Sequence, residues 1–273
     1  MLEVTNLTKS YGSTEVLHGI NFRAEHGQVL GILGPNGAGK STAMNIITGF
    51  IPKSGGCVNI CGIDTDSGDE YKRHIGYLPE ATPLHVNMTV NEFLEFSSDL
   101  KGVPKNEVKR GIERAAELTG LSHVQKRLIR NLSKGYKQRA GIAQALIGFP
   151  ELLILDEPTS GLDPAQLIEI RRLVRDLGKN HTVIFSSHIL AEAESVCDRV
   201  LVLYKGRVLA DGKPSELIAE NRGTFRLSAD ASQERISAAL SSAGITAQIE
   251  PLSVSLEDSF VKLITRAEQE ARE

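Results

Sequence analysis

A chain of 273 residues with 41% hydrophobic and 24% charged side chains has enough apolar material for a globular core and too little bias for a fibrous or disordered class. Its formal net charge of −3 gives no bulk attraction for nucleic acid, and three cysteines, an odd number, argue against a disulfide framework. No apolar run approaches the roughly 20 residues that span a bilayer, and the opening Met1-Leu2-Glu3-Val4 lacks a charged-then-apolar export pattern, so a cytosolic chain is expected.

Residues 2–5 and 16–24 read as short strands of a β-rich start, with Tyr11-Gly12-Ser13 turning between them. Tyr11 is either a plain surface residue or an aromatic platform for a nucleobase. The apolar run 29–33 then leads into Gly34-Pro35-Asn36-Gly37-Ala38-Gly39-Lys40-Ser41, followed by Thr42 and a helix-compatible segment to about Thr48. Strand, glycine-rich turn and helix in that order form the phosphate-binding pattern. The glycines let the backbone curl so that N–H groups point at an anion, and the helix opening adds its unpaired N–H groups. Lys40 supplies a mobile cation for the outer phosphates, and Ser41 a hydroxyl that suits Mg²⁺.

After a loop at 51–56 a strand resumes at 58–60. Cys57 and Cys61 are expected as buried strand residues, since no second Cys/His pair stands at finger spacing. A strand at 75–78 ends in Pro79-Glu80. Thr89 and Glu92 form a capping box for a helix over 89–100, with Val90, Phe93, Leu94 and Leu100 on one face. A second helix covers 106–118, and a third runs from Ser133 to about 147. Ser133 is a plain N-cap or a hydroxyl presented to a phosphate. With no strong strand signal before residue 151, residues 84–150 or so read as an α-helical subdomain inserted between strands.

Leu152-Leu153-Ile154-Leu155 is apolar throughout, as a strand covered on both faces should be, and it ends in Asp156 and Glu157. Asp156 is the candidate metal ligand, otherwise a turn former. Glu157 is the candidate to polarise attacking water, otherwise a loop acid. Asp163-Pro164 opens a helix whose Ile170, Leu173, Val174 and Leu177 share a face before Gly178. A strand at 182–185 ends at Ser186-Ser187-His188, and strands at 200–204 and 207–210 flank the hairpin signal Lys205-Gly206. This alternation predicts a doubly wound α/β sheet, in which ligands sit at the carboxyl ends of strands. Residues 34–41, Asp156, Glu157 and His188 all fall there.

From about residue 222 the texture changes. Strands at 224–227 and 246–249 around a helix at 231–242, then a helix from Ser255 with Leu256, Phe260, Leu263 and Ile264 in a stripe, predict a small α+β accessory domain over 222–273. A stabilising lid and a docking or dimerisation surface fit it equally well. Residues 266–273 form a charged tail.

Residues 34–41, the segment Leu132-Ser133-Lys134-Gly135-Tyr136-Lys137-Gln138-Arg139, the strand ending in Asp156-Glu157, Ser160-Gly161-Leu162-Asp163, and His188, in this order and spacing, resemble the ATP-binding subunit of an ABC transporter. The resemblance covers residues 1–221 and implies an α/β P-loop NTPase fold of ABC type that uses ATP and Mg²⁺. It implies that Tyr11 stacks on adenine, that residues 34–42 cradle the phosphates, and that Ser133 and Gly135 contact the γ-phosphate bound to a second copy of the chain. Asp163 would communicate across that dimer, His188 would contact the γ-phosphate, Glu157, His188 and Lys40 would serve hydrolysis, and Ser41, Asp156 and Glu80 would hold Mg²⁺.

Two departures stand out. The family's Leu-Ser-Gly-Gly-Gln has Lys134 and Tyr136 at its third and fifth places here, and Glu80 replaces a customary Gln. A carboxylate can still ligate Mg²⁺. Tyr77-Leu78-Pro79-Glu80, Leu-Ser-Lys-Gly-Tyr and Ser255-Leu256-Glu257-Asp258-Ser259-Phe260 resemble the ATPases of ABC-2-type exporters of the drug, sodium or gliding kind. Such a subunit works with a separately encoded membrane permease on the inner face of the cell membrane and needs no nucleic acid. The rival within the resemblance, a non-transport ABC ATPase acting on ribosomes or nucleic acid, usually has two cassettes or a long coiled-coil insertion. A P-loop GTPase would carry an Asn-Lys-x-Asp segment, which is absent.

Overall fold

The computed structural model describes residues 1–219, 225–228 and 248–251. The chain groups into two units, Met1–Pro214 and Ser215–Glu273.

In the first unit β1 (Leu2–Tyr11) and β2 (Thr14–Ala24) form an antiparallel hairpin, with β4 (Gly55–Ile60) on the other side of β1 and the short β5 (Ile63–Asp64) beyond it. Leu2, Val4 and Leu7 from β1 and Leu17, Ile20, Phe22 and Ala24 from β2 are buried together. β1, with 10 residues, runs well past the expected residues 2–5. Asn6 has φ 49° and the register shifts between Val4 and Leu7, so the irregularity breaks the period-2 pattern on which the shorter expectation rested. The cysteine expectation also needs correction: β4 turns Val58 and Ile60 inward, leaving Cys57 exposed, while Cys61 stands half-buried in the turn after it.

The second sheet contains β3 (Val29–Leu33), β6 (Ile75–Leu78), β7 (Leu152–Leu155), β8 (Thr182–Ser187), β9 (Arg199–Tyr204) and β10 (Arg207–Gly212), in the order β10-β9-β3-β8-β7-β6. All neighbours are parallel except the β9–β10 hairpin. Every residue of β3, β7 and β8 is buried, the signature of a parallel sheet covered on both faces. α1 (Lys40–Ile47), α5 (Pro164–Leu177) and α6 (Leu190–Val196) belong to this layer. α6 is not evident from the sequence, because the charged Glu192 interrupts its short apolar stripe yet is itself fully buried.

Between β6 and β7 lie α2 (Val90–Leu100), α3 (Lys105–Leu118) and α4 (Lys134–Leu146). The capping box forms as expected: Thr89 N–H donates to Glu92 Oε2 at 2.7 Å, and Glu92 N–H donates to Thr89 Oγ1 at 3.2 Å. Val90, Phe93 and Leu94 are buried, but Leu100 is 73% exposed. Periodicity sets the angle around a helix axis, not how far along it the packing extends.

α7 (Pro214–Ala219) follows β10. In the second unit β11 (Phe225–Ser228) pairs antiparallel with β12 (Gln248–Pro251). The helices expected at 231–242 and from Ser255, and the tail at 266–273, lie outside the described residues.

Candidate functional site

Because β3, β8 and β7 are neighbours, the residues after their carboxyl ends meet at one edge of the sheet. The loop after β3 is shaped by two glycines. Gly39 caps α1 with φ 104°, and a Cβ there would lie 2.7 Å from Leu17 Cδ2. A Cβ on Gly34 would run into the carbonyl oxygen of Leu203. No side chain caps α1, so its first-turn N–H groups face the cleft with their positive dipole end. The buried Lys40 folds back over the loop, and its Nζ donates to Gly34 O at 2.8 Å and Pro35 O at 3.3 Å.

The cleft beside this loop has a volume of about 490 Å³ and is lined by Asn36, Gly37, Ala38, Gly39, Lys40, Ser41 and Thr42, with Glu80, Glu157, Ser160 and His188 on its other side. Glu157 is buried, with an uncommon φ of 48°. Its Oε1 lies 3.6 Å from Lys40 Nζ, and its Oε2 lies 2.8 Å from His188 Nδ1. Behind it Ser186 Oγ accepts from Glu157 N–H at 2.8 Å and donates to Asp156 Oδ1 at 2.6 Å. A cation, a carboxylate and a half-exposed imidazole therefore sit in contact around an anion-shaped cradle. Such a cradle can bind phosphate oxygens and place a proton acceptor near them.

A network that the sequence reading missed supports this edge. Fully buried Glu192 accepts from Thr159 Oγ1 at 2.7 Å, Ser187 Oγ at 2.8 Å and Arg171 Nη2 at 3.2 Å. It ties the loop after β7 to the end of β8, between Glu157 and His188. The signal available was an acid inside the stripe Leu190, Ala193, Val196. Tyr77 donates to Asn45 Oδ1 at 3.0 Å, and burial, with Asp156 nearby, pushes its phenol well up, so it stays protonated.

The remaining candidates lie elsewhere. Ser133 caps α4, accepting from Tyr136 N–H at 3.4 Å, and Gly135 packs so closely on Gln166 that a Cβ would lie 2.8 Å from its Cδ. Both line a separate cleft of about 310 Å³ with Arg139 and Glu169. Tyr136, at the divergent place in this segment, has its hydroxyl 3.1 Å from His123 Nε2. Asp163 is exposed and caps α5, its Oδ1 accepting from Gln166 N–H at 2.9 Å. Tyr11 is 51% exposed at the end of β1, under Lys9 Nζ, and does not line the first cleft. Neither does Asp156, which is 2% exposed behind Glu157. Among the described residues no helix is long and apolar enough to cross a membrane.

Residues 17–160 match the ABC transporter family. The bacitracin transport ATP-binding protein BcrA of Bacillus licheniformis is 39% identical over 225 residues, which are 81% of this chain and 72% of that protein. The lantibiotic transport ATP-binding protein SrtF of Streptococcus pyogenes is 37% identical over 212 residues, 77% of this chain and 90% of that one. A dimeric ATP-binding cassette, MJ0796, solved in a post-hydrolysis state with ADP and Pi, superposes with a TM-score of 0.70 at 28% identity, covering 78% of this chain and 98% of its own. On the family match and these relatives, the chain belongs to the ABC transporter family as an ATP-binding subunit.

Proposed function

We propose that this subunit hydrolyses ATP and uses the cycle to drive an exporter of the ABC-2 type. The observation that carries the proposal is the contact of Glu157 with both Lys40 and His188 at the mouth of the phosphate cradle. Residues 34–42 bind the phosphates, Lys40 neutralises the outer ones, and Glu157 accepts a proton from attacking water while His188 orients it and contacts the γ-phosphate. Ser41 and Glu80 line the cleft and Asp156 lies buried behind Glu157, its Oδ1 accepting from Ser186; all three offer only oxygen donors, the set that Mg²⁺ prefers, and are the residues that would hold it, Asp156 from the back of the site. Bound there, the ion would neutralise charge on the β- and γ-phosphate oxygens.

Ser133 and Gly135 sit in a cleft apart from the cradle, so they serve a nucleotide bound by a second copy of the chain. Asp163 stands exposed between the two clefts' elements and communicates across that dimer, and Tyr11 stacks on the adenine. The relatives' transport of bacitracin and lantibiotics supports a transport role rather than action on ribosomes or nucleic acid, and the direction we assign is export. A separately encoded permease docks in the groove of about 640 Å³ lined by Phe50, Tyr77, Pro79, Pro83, Lys101 and Gln144, beside the Glu80 loop. Phe50 is 77% exposed there. This holds the subunit on the inner face of the membrane. Residues 84–150 transmit the motion as a helical subdomain of the 1–221 cassette, and residues 222–273 follow it in sequence as an accessory domain. Closing on ATP selects one permease state and hydrolysis releases it.

Light scattering on the full chain with saturating ATP and a chelator that blocks hydrolysis tests the sandwich. A dimer is expected with ATP and a monomer without, and Ser133→Arg should remain monomeric in both. Monomers at saturating ATP, or a Ser133→Arg dimer, overturn the proposal. Purifying the tagged chain in detergent tests the partner, which must be a multi-span membrane protein.

A further inference from the structure

Three chemistry-bearing side chains from separate segments meet at the amino ends of β6 and β7, the opposite edge of the sheet from the nucleotide cleft. Cys61 occupies the turn between β4 and β5, His74 immediately precedes β6, and Glu151 immediately precedes β7. The parallel register pairs Ile75 with Leu152, which sets His74 and Glu151 side by side. The Cys61 Sγ, a ring nitrogen of His74 and a carboxylate oxygen of Glu151 all lie within 4.8 Å of one another. His74 Nδ1 is 3.0 Å from Glu151 Oε2, and Met1 Sδ lies 3.5 Å from Cys61 Sγ. Cys61 holds its place through a left-handed backbone, φ 53°, and an N–H that donates to Met1 O at 2.8 Å.

We infer that Cys61, His74 and Glu151 form a binding site for one Zn²⁺ ion. A thiolate, an imidazole and a carboxylate match the donor set of a borderline-soft ion, whereas Mg²⁺ and Ca²⁺ select oxygen alone. Tetrahedral Zn²⁺ with bonds of about 2.0–2.3 Å places its donors roughly 3.3–3.7 Å apart. The thiol and its two neighbours need to close by at most about 1 Å while His74 and Glu151 part slightly, and these two side chains, 30% and 47% exposed, have the rotamer room to do so. Their exposure also gives the ion a path from solvent and leaves a fourth position for water or the Met1 thioether. On binding, the Cys61 S–H bond breaks, its proton goes to buffer, and the sulfur's electron pair forms the Zn–S bond. The ion would clip the β4–β5 turn onto the edge of the parallel sheet, bracing two sheets that no disulfide joins. The alternative is a His74–Glu151 hydrogen bond with a bystander thiol.

Cobalt(II) titration of the reduced, nucleotide-free full chain separates the two. One equivalent should produce a thiolate-to-cobalt charge-transfer band with the intense d–d absorption of a tetrahedral ion, and Zn²⁺ should bleach both. Cys61→Ser should abolish the charge-transfer band, His74→Gln should weaken binding at least about tenfold, and Cys57→Ser should change nothing. On the unmodified protein Zn²⁺ should slow alkylation of Cys61, read by peptide mass spectrometry, without protecting exposed Cys57. Absence of the band, its persistence in Cys61→Ser or undiminished in His74→Gln, or unprotected alkylation of Cys61 in Zn²⁺ overturns the site.

Discussion

Replacing Glu157 with Gln keeps the shape of the side chain and removes one negative charge from between Lys40 and His188. At 3.6 Å from Lys40 Nζ, with an effective dielectric constant of about 20, the lost attraction is on the order of 5 kcal/mol before the desolvation that offsets it. Lys40 does not become an orphan, because Gly34 O and Pro35 O still accept from it. Nucleotide affinity should therefore hold or rise, since a carboxylate no longer repels the polyphosphate. Loss of the proton acceptor costs about 10²–10⁴ in turnover, roughly 3–5 kcal/mol of barrier. Phosphate release at saturating ATP measures the turnover, and fluorescence of a labelled nucleotide measures the affinity. A kcat within about threefold of the parent's, with affinity intact, would remove Glu157 from its role.

Two further outcomes follow from the packing. A Cβ on Gly76 would strike the carbonyl oxygen of Ala145, where β6 passes under α4, so Gly76→Ala must push that helix off the sheet. Overpacking of this kind costs about 1–3 kcal/mol, and Tm should fall by about 2–12 °C for a unit of this size; an unchanged Tm contradicts the close approach. Lys101 Nζ donates to Ala145 O at 3.1 Å and Ile147 O at 2.8 Å at the end of α4, and burial pushes its ammonium down from 10.5 to about 8. The unfolded chain thus binds the extra proton between pH 8 and 10.5, so this group's contribution to stability falls as pH drops through 8 and is fully present above 10.5. The shift corresponds to about 3 kcal/mol across that window. Urea midpoints of wild type should rise with pH relative to Lys101→Met, and parallel curves would refute it.

The phosphate-binding loop could be read from residues 34–41 because its chemistry is local: glycines, a lysine and a hydroxyl within one turn. The all-apolar β7 and its two acids were legible for the same reason, as was the capping box at Thr89. The length of β1 was not, because a single residue at Asn6 breaks the alternation and the pairing that rescues it comes from β2. Leu100 was misplaced because sequence spacing carries no information about where a partner helix ends.

What the sequence determined by itself was which residues follow which strands, and hence the family and the kind of ligand. Only the tertiary structure decided which strands are neighbours. That order places Glu157 against Lys40 and His188, buries Glu192 as the tie between two loops, and sets Cys61 beside His74 and Glu151. The physical reason is that side chains separated by tens of residues meet only through strand pairing, and pairing is settled by burying both faces of the sheet at once.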